Sequence, residues 1–214
     1  MKNRETISPV LLSIVVIFIS FMLISNVLAN RMIQVGRWAL DAGSLTFPIT
    51  YVISDIMSEV YGYKWSRRVA WMSAGVNLLF AAFIFLATSI PAPEWFDAAP
   101  FSIALRGSFR IVIASVTAYV VGDWVNDVIF REMKKKHADA ARFKLRAIAS
   151  SVGGSLVDTT LFILIAFAGI IPGAEIVPMV LIGVAAKTLY EIIILPVTST
   201  VLKIVQKQEV TYHI

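Results

Sequence analysis

The sequence predicts an all-α integral membrane protein, a bundle of six transmembrane helices in a single polytopic domain over residues 1–214. Hydrophobic residues make up 58% of the chain and charged residues 15%, against roughly 45–50% and 25% in soluble domains. The mean hydropathy is correspondingly high at +0.79. Apolar runs of about 20 residues, the length that crosses a bilayer, take up most of the chain and leave no room for a soluble catalytic domain.

Short polar segments join the six predicted spans. The spans cover residues 9–30, 44–63, 69–90, 107–130, 147–171 and 174–205. The first run is too long for the core of a signal peptide and lacks a convincing cleavage site, so we expect it to remain as a helix. Residues 31–43 are expected to form a loop, and the prolines within residues 91–105 predict a second, extended loop.

Asparagines mark the first and third spans. Asn26 and Asn30 lie four residues apart near the end of the first span, so they share one helix face. Either they cap the helix end and bond to loops, or their amides reach into a pocket. The third span carries Asn77, whose amide is a further candidate for a polar site.

The second span carries two acids, Asp55 and Glu59, on the same helix face as Tyr51. A carboxylate at the bilayer centre costs roughly 2.5–3.5 kcal/mol on insertion scales. In one interpretation the two acids are structural, either as members of ion pairs or in a loop that dips into the headgroups. In a second interpretation they face the inside of the bundle as a polar site. The second interpretation agrees with the usual role of intramembrane acids.

The fifth span carries Asp158 on a stripe of small residues that includes Ser150 and Gly154. Small residues four apart let helices pack closely, either inside the protomer or between two copies in a homodimer. Because Asp158 lies near the middle of its span, we expect its carboxylate to have a functional role.

The sixth span carries Lys187 and Glu191, at a spacing that suits an ion pair within one helix. Lys187 can equally reach across the bundle to Asp158 or to Asp55. Both arrangements neutralise charges that would otherwise be costly at this depth.

Basic residues predict the orientation in the membrane. With six spans and a cytoplasmic N-terminus, 14 of the 19 Lys and Arg residues lie on the cytoplasmic side, seven of them within residues 131–146. Both termini are therefore expected to be cytoplasmic. The net charge of +5 is a topology signal, so nucleic acid is not an expected partner. Three spans in each half would place Asp55 and Asp158 equivalently in two inverted halves.

The composition also excludes several kinds of catalytic and metal site. The chain has no cysteine, which removes disulfides, thiolate metal sites and a cysteine nucleophile. His137 and His213 both fall in predicted cytoplasmic segments, and HExxH, GxSxG and P-loop motifs are absent. We expect no enzyme activity, no metal and no cofactor.

The run SDIMSEVYGYKWSRR, residues 54–68, resembles the signature of the queuosine precursor transporter family, also grouped as a vitamin uptake transporter family. Looser matches follow at Asp158, Lys187, Glu191 and Pro196. The resemblance implies an importer in the cell (inner) membrane, embedded in lipid. Its substrate would be 7-cyano-7-deazaguanine, 7-aminomethyl-7-deazaguanine or the free base, for salvage of the tRNA base queuosine.

Such substrates share a guanine-like edge with neighbouring N–H donors beside a carbonyl acceptor. A carboxylate accepts from two adjacent donors, an asparagine or lysine can serve the carbonyl, and an aromatic ring can stack on the base. The expected substrate-binding residues are therefore Asp55, Glu59, Tyr51, Asn26, Asn77, Lys187 and Glu191.

Three other classes of membrane protein compete with this interpretation. A substrate-binding membrane subunit of an ATP-driven vitamin or nucleobase uptake system is the main alternative, and uptake without any partner ATPase distinguishes the two. An intramembrane enzyme lacks its catalytic motifs, and a structural or assembly protein does not explain so many acids within spans.

Overall fold

A computed structural model describes residues 8–136 and 143–212, which form seven α-helices and one β-hairpin. The elements are α1 (Pro9–Leu28), β1 (Met32–Val35), β2 (Trp38–Asp41), a 3-10 helix (Ala42–Leu45), α2 (Phe47–Tyr61), α3 (Tyr63–Ser89), α4 (Ala99–Leu105), α5 (Ser108–Lys136), α6 (Phe143–Phe167) and α7 (Gly173–Tyr212). The architecture confirms the prediction of an all-α membrane protein. The hairpin was not predicted from the sequence.

Five segments of the described chain are long and apolar enough to cross a membrane. They lie in α1, in α3, in the α4–α5 segment, in α6 and in α7. Large apolar side chains such as Leu79, Phe83 and Leu181 are exposed on these helices, as expected for surfaces that face lipid tails. The predicted count of six spans and the inverted halves are not confirmed.

The number of candidate spans differs from the predicted six at α2, which lies within the predicted second span. With 15 residues and a rise of 1.5 Å per residue, α2 is about 22 Å long, whereas the hydrocarbon core is about 30 Å thick. Gly62 ends the helix because its φ of 86° lies in the region that favours glycine. The helix α3 then begins at once with Tyr63, so residues 64–68, which were predicted to join the second and third spans, form its first turns.

The predicted loop at residues 31–43 is an antiparallel hairpin followed by the 3-10 helix. Met32 pairs with Asp41 and Val35 pairs with Trp38. Gly36 makes the tight turn between them with a φ of 62°. Asp41 then caps the 3-10 helix, since its carboxylate accepts hydrogen bonds from the main-chain N–H and the hydroxyl of Ser44. The hairpin therefore ends in a fixed carboxylate.

Both ends of α1 are capped by side chains. Ser8 Oγ accepts a hydrogen bond from the Leu11 N–H at 3.0 Å, which satisfies one of the free donors at the helix start. At the other end, Asn30 Nδ2 donates to the main-chain carbonyls of Asn26 and Val27. The structure thus places Asn30 as a cap and leaves Asn26 facing the interior of the bundle.

Two arginines connect neighbouring helices. Arg110 donates to the Ile165 carbonyl at 2.5 Å and to the Ala168 carbonyl at 2.7 Å, so α5 carries a positive charge to the C-terminal end of α6, where the helix dipole favours it. Arg67 on α3 forms an ion pair with Asp123 on α5 at 3.3 Å. These contacts fix α5 between α3 and α6.

Glycines let α5 and α6 approach closely. An added Cβ at Gly122 would lie 2.7 Å from the Asp158 Cβ and 3.1 Å from the Gly154 carbonyl oxygen. Gly154 in turn lies against Asn126 and the Gly122 carbonyl. The stripe of small residues on α6 therefore packs inside the protomer, and the homodimer remains a prediction.

Replacing Gly122 by Ala should destabilise the protein by about 1–3 kcal/mol, because the new methyl group overpacks this helix contact. Gly75 on α3 is the matched control, since an added Cβ there meets no heavy atom within 4 Å. Gly75→Ala should stabilise α3 by about 0.5–1 kcal/mol. Thermal unfolding in one detergent compares the two variants, and equal midpoints would contradict the close approach of α5 and α6.

Candidate functional site

A cavity of about 170 Å³ opens between the end of α1, the hairpin, the start of α2, and helices α6 and α7. Its wall is largely apolar, with Phe47 from α2 and Phe162 from α6 among the lining residues. Drug-sized ligand pockets measure roughly 300–1,000 Å³. The cavity therefore suits a small molecule, such as a bare heterocyclic base, better than a nucleoside.

The main charged feature of the cavity is an ion pair between α6 and α7. Lys187 Nζ lies 2.5 Å from Asp158 Oδ2 and donates a second hydrogen bond to Thr159 Oγ1 at 3.0 Å. The side chains of Lys187 and Asp158 are only 16% and 19% exposed, so each charge depends on the other for compensation. Asp158 is thus one of the partners that the sequence allowed for Lys187.

Aromatic residues at the start of α2 complete the surroundings of Lys187. Its ammonium group lies 5.6 Å from the centre of the Phe47 ring, within cation–π range, and it is hydrogen-bonded to the Tyr51 hydroxyl. The two rings pack edge to face with centroids 5.1 Å apart. Helix α2 thus supplies both a flat apolar face and a polar hydroxyl beside the cation.

A buried pair of asparagines joins α1 to α3 beside the cavity. Asn26 Nδ2 donates to Asn77 Oδ1 at 2.6 Å, and Asn77 Nδ2 donates to the Ser73 carbonyl at 2.9 Å. Asn26 is 5% exposed and lines the cavity, whereas Asn77 is 1% exposed and lies behind it. The first asparagine can touch a ligand, and the second supports it.

The two acids predicted on α2 lie away from the cavity. Asp55 and Glu59 are exposed and do not line the cavity. The reason is distance along α2, because the cavity contacts its first turn at Phe47 and Asp55 follows about 12 Å further on. The side chain of Glu191 lies outside the described part of the structure. A binding role for these three acids remains a prediction.

Asp41 is a cavity residue that the sequence analysis did not select. It lines the wall formed by the hairpin, and Lys187 acts on it electrostatically. Burial raises the pKa of Asp41 above its usual value, although hydrogen bonds from Ser44 and the charge of Lys187 oppose the shift. The available signal was Asp followed three residues later by Ser, a cap pattern that fixes a carboxylate at an element boundary.

Comparison with known proteins identifies the family of the chain. Residues 41–201, more than half of the 214-residue chain, match the family described as "Putative vitamin uptake transporter". The chain belongs to this family. The match begins at Asp41 and includes Phe47, Asp158 and Lys187, so it covers the hairpin end and the α2, α6 and α7 walls of the cavity. The family is one of transporters, in agreement with the prediction that the chain is not an enzyme.

Two relatives carry the name "Probable queuosine precursor transporter". The protein from Haemophilus influenzae is 27% identical over 126 residues, which are 58% of this chain and 51% of the relative. The protein from Bacillus subtilis is 19% identical over 150 residues, 69% of this chain and 65% of the relative. The chain thus spans about half the length of the first and just under two thirds of the second. No solved structure matches the chain.

The raised pKa of Asp41 predicts a pH dependence of stability. The folded protein holds the Asp41 proton to higher pH than the unfolded chain does, so this contribution is fully present below the unfolded pKa and declines as pH rises through the folded pKa. Asp41→Asn cannot ionise and should flatten the curve of unfolding midpoint against pH above the usual pKa range of aspartate. The charged groups to consider are Lys187 and Asp158, which share the cavity. An unchanged slope would show that Asp41 keeps its usual pKa.

Proposed function

We propose that this transporter imports a 7-deazaguanine precursor of queuosine across the cytoplasmic membrane. The observation that carries the proposal is the buried Lys187–Asp158 pair on the wall of a small cavity. This pair presents a hydrogen-bond acceptor and a hydrogen-bond donor side by side. The names of the two bacterial relatives support the choice of substrate, and the family match supports a transport function.

The chemistry of the cavity suits the edge of a guanine-like base. Asp158 can accept two adjacent N–H groups, and charge assistance strengthens such bonds about twofold. Lys187 can donate to the neighbouring carbonyl, while Phe47 offers a ring on which a flat base can stack. In this arrangement Asp158 takes the role that the sequence analysis gave to Asp55 and Glu59, which we retain as candidates for contacts elsewhere along the path.

Asp158 is also our candidate for energy coupling. A base that binds to Asp158 competes with Lys187 for the same carboxylate oxygens, so binding and the state of the ion pair are linked. A proton on Asp158 would release Lys187 in the same way. Either event changes the contact between α6 and α7, the two helices that the pair joins.

Uptake by the purified protein in liposomes tests the proposed function. Labelled 7-cyano-7-deazaguanine should accumulate without any partner ATPase, and imposed proton and sodium gradients identify the coupling ion. Uptake that requires an added ATPase would instead support the substrate-binding subunit of an ATP-driven system. If neither uptake nor binding of any 7-deazaguanine occurs, the proposed function is wrong.

We further propose that both termini are cytoplasmic, which requires α2 to cross the membrane despite its length. Reporter fusions at the N-terminus and after Lys136 should then read cytoplasmic, and a fusion near Glu94 should read external. The reason is the excess of basic residues near the N-terminus and near Lys136. If α2 does not cross, the N-terminal fusion and the Lys136 fusion will lie on opposite sides, and this outcome would contradict six crossings.

A further inference from the structure

We propose that Asn77 is a positioning residue that fixes the side-chain amide of Asn26 with its carbonyl oxygen toward the cavity. The cavity would then select ligands that present an N–H group at this point. The inference deepens the proposed function and rests on it for the identity of the ligand. The orientation of Asn26 itself follows from contacts within the protein.

The first step is the contact of Asn77 with its own helix. Asn77 Nδ2 lies 2.9 Å from the main-chain carbonyl oxygen of Ser73, one turn earlier in α3. A carbonyl oxygen only accepts hydrogen bonds, so Asn77 must turn its NH₂ group toward it. The opposite end of the amide, Oδ1, is therefore fixed toward α1.

The second step passes this orientation to Asn26. Asn77 Oδ1 also only accepts, and it receives Asn26 Nδ2 at 2.6 Å. Rotating the Asn26 amide by half a turn would set two carbonyl oxygens against each other at this distance. Asn26 must therefore keep its NH₂ group on Asn77 and its Oδ1 on the other side.

The third step concerns what Asn26 Oδ1 can meet. Asn26 lines the cavity and is 5% exposed, whereas Asn77 is buried behind it and lines no part of the wall. Within residues 8–136 and 143–212, no protein group donates a hydrogen bond to Asn26 Oδ1. A ligand N–H group is the natural partner for an acceptor placed in this way, and a ligand acceptor at the same point would be repelled.

Ligand pairs that differ in one donor test this selection. The probes are 7-cyano-7-deazaguanine, its analogue without the 2-amino group, and its N9-methyl analogue, each titrated into the purified protein. Because Asp158 is proposed to accept the donors of the guanine-like edge, Asn26 is expected to meet N9–H, and the wild type should bind the N9-methyl analogue about tenfold to a hundredfold more weakly than the parent. In Asn77→Leu the Asn26 amide is free to rotate, so this ratio should fall to within about threefold.

Ser73→Ala is the matched control on the same turn of α3. The Ser73 hydroxyl is fully buried and has no hydrogen-bond partner in the described part of the chain, whereas its main-chain carbonyl holds Asn77. The variant keeps that carbonyl, so it should keep the wild-type ratio. A wild type that binds the N9-methyl analogue as tightly as the parent, or an Asn77→Leu variant that keeps the full ratio, would overturn the proposal.

A measurement without ligand separates this inference from the proposed function. In the wild type, NMR should show slow hydrogen exchange of the Asn26 side-chain NH₂ protons, because they are bonded to Asn77 and turned away from the cavity. Fast exchange would contradict the orientation whether or not Asn77→Leu folds. If none of the three probes binds while exchange is slow, the choice of substrate fails and the orientation of Asn26 stands.

Discussion

Lys187→Met should destabilise the protein by about 3–5 kcal/mol and abolish uptake. The substitution leaves Asp158 as an uncompensated charge between α6 and α7, and breaking a buried pair from one side carries a cost of this size. The short distance and low exposure of the pair, at 2.5 Å and below 20% for both side chains, place it in this class. Thermal unfolding and liposome uptake measure the two effects.

Two further variants separate charge burial from function. Lys135→Met breaks an ion pair of the same length with Glu132, but those side chains are 70% and 56% exposed, so it should change stability by less than about 1 kcal/mol. The double variant Asp158→Asn with Lys187→Met removes both buried charges and should recover most of the lost stability without recovering uptake. A stable Lys187→Met single variant would contradict the account of the pair.

Asp158→Asn should weaken binding of 7-cyano-7-deazaguanine about tenfold to a hundredfold. The change replaces one acceptor oxygen by a donor, and the loss of a charge-assisted hydrogen bond costs roughly 1.5–3 kcal/mol. Asp158→Asn also leaves the Lys187 charge uncompensated, but the hydrogen bonds that Lys187 keeps with Thr159 and Tyr51 should hold this loss of stability below that of Lys187→Met. Titration calorimetry measures the loss of affinity, and the unfolding midpoint measures the loss of stability.

Glu59→Gln makes a similar carboxylate-to-amide change on α2, outside the cavity. If Asp158 binds the donor edge, Glu59→Gln should leave affinity within about threefold of the wild type. Loss of affinity in Glu59→Gln together with unchanged affinity in Asp158→Asn would return the contact to α2, as the sequence analysis expected for Glu59 and Asp55.

Apolar length and charge placement were sufficient to predict the membrane class and most helices. The observed α5, α6 and α7 overlap the fourth, fifth and sixth predicted spans. The hairpin was missed because its strands have four residues each, too few for alternation to stand out from a polar loop. Gly62 was read as part of one long helix, since a positive φ at glycine leaves no trace in hydrophobic periodicity.

The sequence indicated which types of residue to expect at a site, but it did not indicate how they are arranged. Helical spacing shows which residues share a face, but it does not show toward what that face points. For this reason Lys187, Asp158 and Asn26, which the sequence singled out in different roles, share one cavity wall, while Asp55 and Glu59 were expected at the cavity and lie outside it. Asp41 reaches the wall only through the fold of the hairpin, which the sequence pattern did not predict.

The central claim is that the cavity between the hairpin, α6 and α7 holds the base, and a structure of the complex tests it most directly. Crystals grown with 7-cyano-7-deazaguanine should show a planar ligand beside Phe47, with hydrogen bonds to Asp158 and Lys187. Ligand density against the exposed face of α2 at Asp55 and Glu59, with the cavity unchanged, would contradict the claim.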